Sequence, residues 1–78
     1  MRIETRLFAT LRKYVPDAPQ GVLTMDVPDG VTVAELLRLL GVNAADVHLI
    51  MVNGQGSAPE RVLAGNDRVG LFPPIGGG

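Results

Sequence analysis

Val31-Thr32-Val33-Ala34-Glu35-Leu36-Leu37-Arg38-Leu39-Leu40-Gly41 carries helix punctuation at both ends. Thr32 is placed to cap the first turn. Glu35, three residues on, completes a capping box, and Val31 with Leu36 forms a hydrophobic staple. Val33, Leu36, Leu37 and Leu40 recur as one apolar stripe, and Gly41 stands where a left-handed residue ends a helix. Such a stripe has to be covered by a second layer, and the flanking sequence offers strands for it.

On the amino-terminal side, residues 2–8 alternate. Ile3, Thr5 and Leu7 share one face, and Arg2, Glu4, Arg6 and Phe8 share the other. Thr10 to Tyr14 holds a helical turn before Pro16, Pro19 and Gly21 interrupt it. Residues 22–27 alternate again, with Leu23, Met25 and Val27 against Thr24 and Asp26, and Pro28-Asp29-Gly30 closes that strand. Beyond the helix, residues 47–52 read as a strand, Asn53-Gly54 as a tight turn and residues 55–58 as its short partner. Pro59 to Leu63 is expected to form a helical turn. Asn66-Asp67 then introduces residues 68–72, which Pro73-Pro74 stop. The pattern predicts an α+β architecture, a mixed sheet of about four to five strands on one main helix. With the first and last strands parallel at the centre, Phe8 falls beside Phe72.

The chain has 78 residues, 46% of them hydrophobic, a formal net charge of -1 and no cysteine. This length supports one modest core, not an enzyme with a deep pocket of its own. One domain over residues 1–74 and a flexible glycine-rich tail over 75–78 are expected. Without cysteine, the chain has no disulfide, thiolate zinc site, iron-sulfur cluster or thiol nucleophile. The charge balance offers no footprint for nucleic acid or an anionic membrane, and no apolar run is long enough to span a bilayer. The charged start, Met1-Arg2-Ile3-Glu4, does not read as a signal peptide, so a cytoplasmic location is expected.

Phe8 and Phe72 are the only phenylalanines. On a face otherwise made of Arg2, Glu4, Arg6 and Arg68, they point to a protein-binding patch. A strand twist or a bulge that shifts parity would instead make one of them core. His48 has no second histidine or cysteine with which to share a metal, so no metal site is expected. Ser57 lacks triad partners, and Gly54 with Gly56 lacks the ending of a phosphate loop. Met1, Met25 and Met51 read as core or start residues.

The carboxyl-terminal run Phe72-Pro73-Pro74-Ile75-Gly76-Gly77-Gly78 is the most unusual segment. Two prolines make the exit extended and stiff, and three glycines leave a strip without side chains. From Pro73 to Gly78 an extended chain reaches about 20 Å. It is shaped to thread a narrow channel and present its terminal carboxylate there. A frayed, inert tail is the plain alternative.

Leu7-Phe8-Ala9-Thr10-Leu11-Arg12 and the run from Asn66 to Gly78 resemble the MoaD/ThiS family of ubiquitin-like sulfur carriers, closest to the small subunit of molybdopterin synthase. The resemblance covers essentially the whole chain and implies a ubiquitin-like β-grasp fold. It also implies that an E1-like adenylyltransferase consumes ATP to form an acyl-adenylate at Gly78, and that a sulfur donor system displaces AMP to leave a thiocarboxylate. The larger, catalytic synthase subunit would take the tail and pass sulfur to a pterin precursor of the molybdenum or tungsten cofactor. Gly78 is then the reacting residue, Gly76 and Gly77 its tether, and Phe8, Phe72, Pro73, Pro74 and Ile75 the partner-binding residues. No bound cofactor is implied for the chain itself. A ubiquitin-like modifier joined to proteins through Gly78, or a carrier serving another pathway such as thiamin biosynthesis, is the alternative. An inert tail on a plain interaction domain is a third reading.

Overall fold

The helix forms where its punctuation predicts. The computed structural model describes residues 1–74, and in it α1 spans Val33–Leu40. The Glu35 amide donates to Thr32 Oγ1 at 3.2 Å, and the Thr32 amide donates to Glu35 Oε1 at 3.0 Å, so both halves of the capping box are present. Gly41 takes φ 74°, and the Gly41 and Val42 amides close the last turn on the Arg38 and Leu37 carbonyls. Val33, Leu36 and Leu37 are buried and Leu40 packs at their edge, while Leu39, off the stripe, stays exposed.

Five strands cover the helix: β1 (Arg2–Leu7), β2 (Val22–Asp26), β3 (Leu49–Val52), β4 (Gln55–Ser57) and β5 (Arg68–Phe72). Their order is β2-β1-β5-β3-β4. β1 and β5 run parallel at the centre, with Thr5 beside Val69 and Leu7 beside Leu71, and every other pair is antiparallel. This is the ubiquitin-like β-grasp arrangement. Ile3, Leu7, Ile50, Val52, Val69 and Leu71 face the helix as the buried half of the alternation.

Local departures from the sequence reading have physical causes. β1 ends at Leu7, because Ala9 adopts φ 52° and turns the chain into a 3-10 segment (Ala9–Tyr14) that buries Leu11. β3 starts at Leu49, since Asn43 Oδ1 accepts from the Ala45 amide and starts a 3-10 turn (Ala44–Asp46). Of the helical turn expected over Pro59–Leu63, only a single reverse turn forms, closed by the Arg61 amide donating to the Ala58 carbonyl at 3.1 Å. There the chain crosses the amino end of α1, and Val62 bridges to Thr32. The Val33 and Ala34 amides, which have no partner within the helix, donate to the Arg61 and Pro59 carbonyls at 3.0 and 2.9 Å. Satisfying those amides outcompetes continuation of that turn as a helix.

Asn53 and Gly54, at φ 52° and 83°, make the expected tight turn between β3 and β4. The buried Asp67 ties it to the loop before β5. Asp67 accepts from the Ala64 amide at 2.7 Å and from Asn53 Nδ2 at 2.9 Å, while Asn53 Oδ1 accepts from the Arg68 amide at 2.9 Å. Among the described residues no helix is long and apolar enough to cross a membrane. The separate tail expected over 75–78 lies outside the described residues.

Candidate functional site

The face of the sheet turned away from α1 is built from the second half of each strand's alternation. β1 contributes Glu4 and Arg6, β5 contributes Arg68, Gly70 and Phe72, and β3 contributes Leu49 and Met51. Phe8 joins them one residue past β1. Its amide donates to the Leu71 carbonyl at 3.0 Å, which extends the β1–β5 ladder just far enough to hold the ring beside Phe72. The two rings stack with centroids 4.2 Å apart and planes 6° from parallel. Both are half-buried, and the Arg6 guanidinium lies 6.0 Å from the Phe8 centroid.

The stack packs over Gly70. A Cβ there would sit 3.3 Å from Phe72 Cε2, so that ring would have to give by a few tenths of an ångström, and 3.5 Å from Phe8 Cε2, in ordinary contact. The bare backbone floors a shallow cavity of about 300 Å³, edged by Phe8, Phe72, Met51, Arg6, Arg68 and Glu4. Apolar walls from Phe8, Phe72 and Met51 beside the charged Glu4, Arg6 and Arg68 suit a protein surface, where apolar contact supplies affinity and the charges fix orientation.

Met51 is the correction on this face. Expected in the core with Met1 and Met25, it lies on the open side, because β3 pairs Met51 with Gly70 on one flank and Gly56 on the other. Leu49 shares its parity and is 43% exposed beside Phe72. Four consecutive apolar residues, Leu49-Ile50-Met51-Val52, conceal which pair faces inward until the register with β5 is known. Gly56 adds no side chain, so Met51 stands between two bare strand positions.

Pro73 is half-buried and Pro74 exposed, directly after Phe72. The expected tail residues Ile75, Gly76, Gly77 and Gly78 lie outside the described residues. His48 is exposed, and its amide donates to the Phe72 carbonyl at 2.8 Å, lengthening the β3–β5 ladder. Ser57 Oγ donates to the neighbouring Ala58 carbonyl. Among the described residues no group of three or more His, Asp or Glu is placed to hold a metal ion. A separate polar cluster lies where the segment after β1 meets the turn before β3. There the Tyr14 hydroxyl donates to Asp46, a bond that raises the phenol above its ordinary range, and the Lys13 ammonium stands 4.0 Å from the same carboxylate.

Comparison with known proteins bears on this geometry. A model of the ThiS family matches residues 5–78. Sequence comparison with curated proteins returns no match. Among solved structures, the chain is similar to SAMP1 from Haloferax volcanii at 25% identity and TM-score 0.77, with all of both chains covered. A putative molybdopterin converting factor subunit 1 from Pyrococcus furiosus shares 22% identity at TM-score 0.74, over 95% of this chain and 98% of that one. The complex of subunits 1 and 2 of the molybdopterin-converting factor from Helicobacter pylori matches at 21% identity and TM-score 0.65, again over all of both chains. These two share the fold. With a family match running from the middle of β1 to the last residue, on a β-grasp sheet whose central strand leads into a Pro-Pro-x-Gly-Gly-Gly ending, the chain belongs to the ThiS family, within the MoaD/ThiS group of ubiquitin-like sulfur carriers.

Proposed function

We propose that this chain carries sulfur on the main-chain carboxylate of Gly78 and delivers it, as the small subunit of a molybdopterin synthase, to a larger catalytic partner in the cytoplasm. One observation supports this most: Phe72 is at once half of the aromatic stack and the last residue of the central strand before the tail. A partner that grips the stack therefore receives the root of the tail at a fixed position, with about 20 Å of extended chain beyond it. The Helicobacter pylori complex of two converting-factor subunits supplies the analogy for a large-subunit partner.

The chemistry starts from the weakness of a carboxylate as an electrophile. An E1-like adenylyltransferase supplies ATP. A Gly78 carboxylate oxygen attacks its α-phosphorus, pyrophosphate leaves, and an acyl-adenylate remains. Sulfur from a donor system then attacks the carbonyl carbon and AMP departs, leaving the thiocarboxylate. Gly76 and Gly77 let the walls of the partner's channel approach the backbone closely. In this reading the chain holds no cofactor, and none of its side chains takes part in the chemistry. Phe8, Phe72, Pro73, Pro74 and Ile75 act only in docking.

The similarity to SAMP1, described as a small archaeal modifier protein, favours a second reading in which Gly78 forms isopeptide bonds with other proteins. Lys13 is the only lysine, so chains of this protein linked through its own side chains would have one branch point. Intact mass spectrometry of the protein purified with its native partners separates the readings. Replacement of one terminal oxygen by sulfur supports the carrier, and branched peptides ending at Gly78 support the modifier. A terminus that an activating partner with ATP leaves unadenylated overturns both. A carrier that transfers sulfur to a thiamin precursor and not to a pterin precursor would assign the thiamin pathway instead.

A further inference from the structure

We propose that Asn53 is a site of spontaneous modification, converted by water to aspartate or isoaspartate, and that the folded β3–β4 turn holds this reaction in check. The sequence supplies the reactivity. In Asn53-Gly54 the nitrogen that must attack belongs to a glycine, whose missing side chain cannot hinder ring closure, and the turn is open on that side, since a Cβ built at Gly54 would meet nothing within 4 Å. In the reaction the Gly54 backbone nitrogen gives its proton to water or hydroxide and bonds to Asn53 Cγ. The bond from Cγ to the side-chain nitrogen breaks and ammonia leaves. Water then opens the resulting five-membered imide at either carbonyl, giving aspartate or isoaspartate. The net change is one water consumed and one ammonia released.

The structure supplies the restraint. Asn53 Nδ2 donates to Asp67 Oδ1 and Asn53 Oδ1 accepts from the Arg68 amide, each at 2.9 Å, and the Asn53 amide donates to the Arg68 carbonyl at 2.8 Å. Both polar atoms on Cγ are thus tied to the start of β5, and the main chain is tied there too. Ring closure requires Cγ to leave these partners, so the rate tracks how often the turn opens. Asn66, also at positive φ, is a built-in control: the nitrogen that would have to attack belongs to Asp67, whose side chain is buried.

The product is incompatible with the turn. An aspartate at position 53 sets a second carboxylate where Nδ2 now lies 2.9 Å from Asp67 Oδ1. The charged groups facing Asp67 are this new carboxylate and Arg61, and Arg68 comes next in the chain with its amide on the residue-53 side chain. Isoaspartate also routes the main chain through Cβ, which adds an atom to a two-residue turn and upsets the Val52–Gln55 pairing.

Peptide mapping during incubation at mildly alkaline pH tests the proposal on the full chain. The expected result is modification at Asn53 and not at Asn66, at least about tenfold slower in the folded protein than in urea, with Asp67→Asn in between. Equal rates in the folded and unfolded chain, or no modification at Asn53 in urea, overturn it. Because Asp67→Asn alters the loop as well, Asn53→Asp gives an independent reading. Its urea midpoint should fall below that of the native protein at pH 7, and the gap should narrow as the pH falls toward 2, through and below the ordinary carboxylate range. An Asn53→Asp protein as stable as the native one at pH 7 contradicts the proposed mismatch.

Discussion

Gly21 and Gly41 share φ 74°, yet their surroundings differ. A Cβ at Gly21 would stand 2.3 Å from the Leu7 carbonyl oxygen, where β1 ends, whereas one at Gly41 would meet nothing within 4 Å. Gly41→Ala carries only the left-handed backbone cost, about 1 kcal/mol. Gly21→Ala adds a clash with main chain in the central strand and is expected to cost about 3 kcal/mol or more. Urea unfolding of both variants checks the order, and equal midpoints would contradict it. Phe72 poses the opposite case, since its ring is half-buried on the open face and its removal leaves the core untouched. Phe72→Ala should keep the fold while weakening association with the activating partner by about 2 kcal/mol. Titration calorimetry with circular dichroism on the same sample separates lost docking from lost structure. The stack was legible in the sequence because β-strand parity depends on nothing but counting. Met51 was not, since all four residues of β3 are apolar and only the pairing with Gly70 shows which side each takes.

At the scale of elements, the loops depart furthest from what local sequence implies. α1 was readable from its own residues, as Thr32, Glu35 and Gly41 act within one or two turns. The segment Pro59–Leu63 was not, because its conformation answers to the unpaired amides at the start of a helix some twenty-five residues earlier. The Asn53–Asp67 tie likewise joins two turns whose sequences suggest turns but not each other. The Ala64 amide, then Asn53 Nδ2, then the charge on Arg61 favour the ionised form, and together they hold the Asp67 carboxyl below the usual carboxylate range despite its burial. A carboxyl with a lowered folded-state pKa adds stability that is complete above its unfolded value, near 4, and is lost as pH falls through the folded value. Asp67→Asn should therefore lower the urea midpoint at pH 7, and the gap should close as the native protein is acidified toward pH 2. A gap that stays constant from pH 7 to pH 2 would show that the charge on Asp67 is not what holds the turns together.

Across the whole molecule, the proposed function makes the fold and the reacting group separable. Among the described residues, 1–74, lie five strands, the helix and a core, whereas the proposed chemistry needs only the carboxylate of Gly78 and its glycine tether. Deleting Gly77-Gly78 is expected to leave the thermal midpoint within about 1 °C of native, because neither residue carries a side chain to bury. The same deletion should abolish acyl-adenylate formation, read as ATP–pyrophosphate exchange with the activating partner. A large fall in midpoint, or exchange that persists, would tie the tail to the fold or free it from the reaction. The parallel pairing of β1 with β5 has a mechanical consequence as well. With the amino end of the chain entering β1 and the carboxyl end leaving β5, opposite pulls on the two termini load the central ladder lengthwise. All its hydrogen bonds then bear the force together and must fail together. A motor or pore that draws the protein in by its tail meets the sheet in its strongest direction.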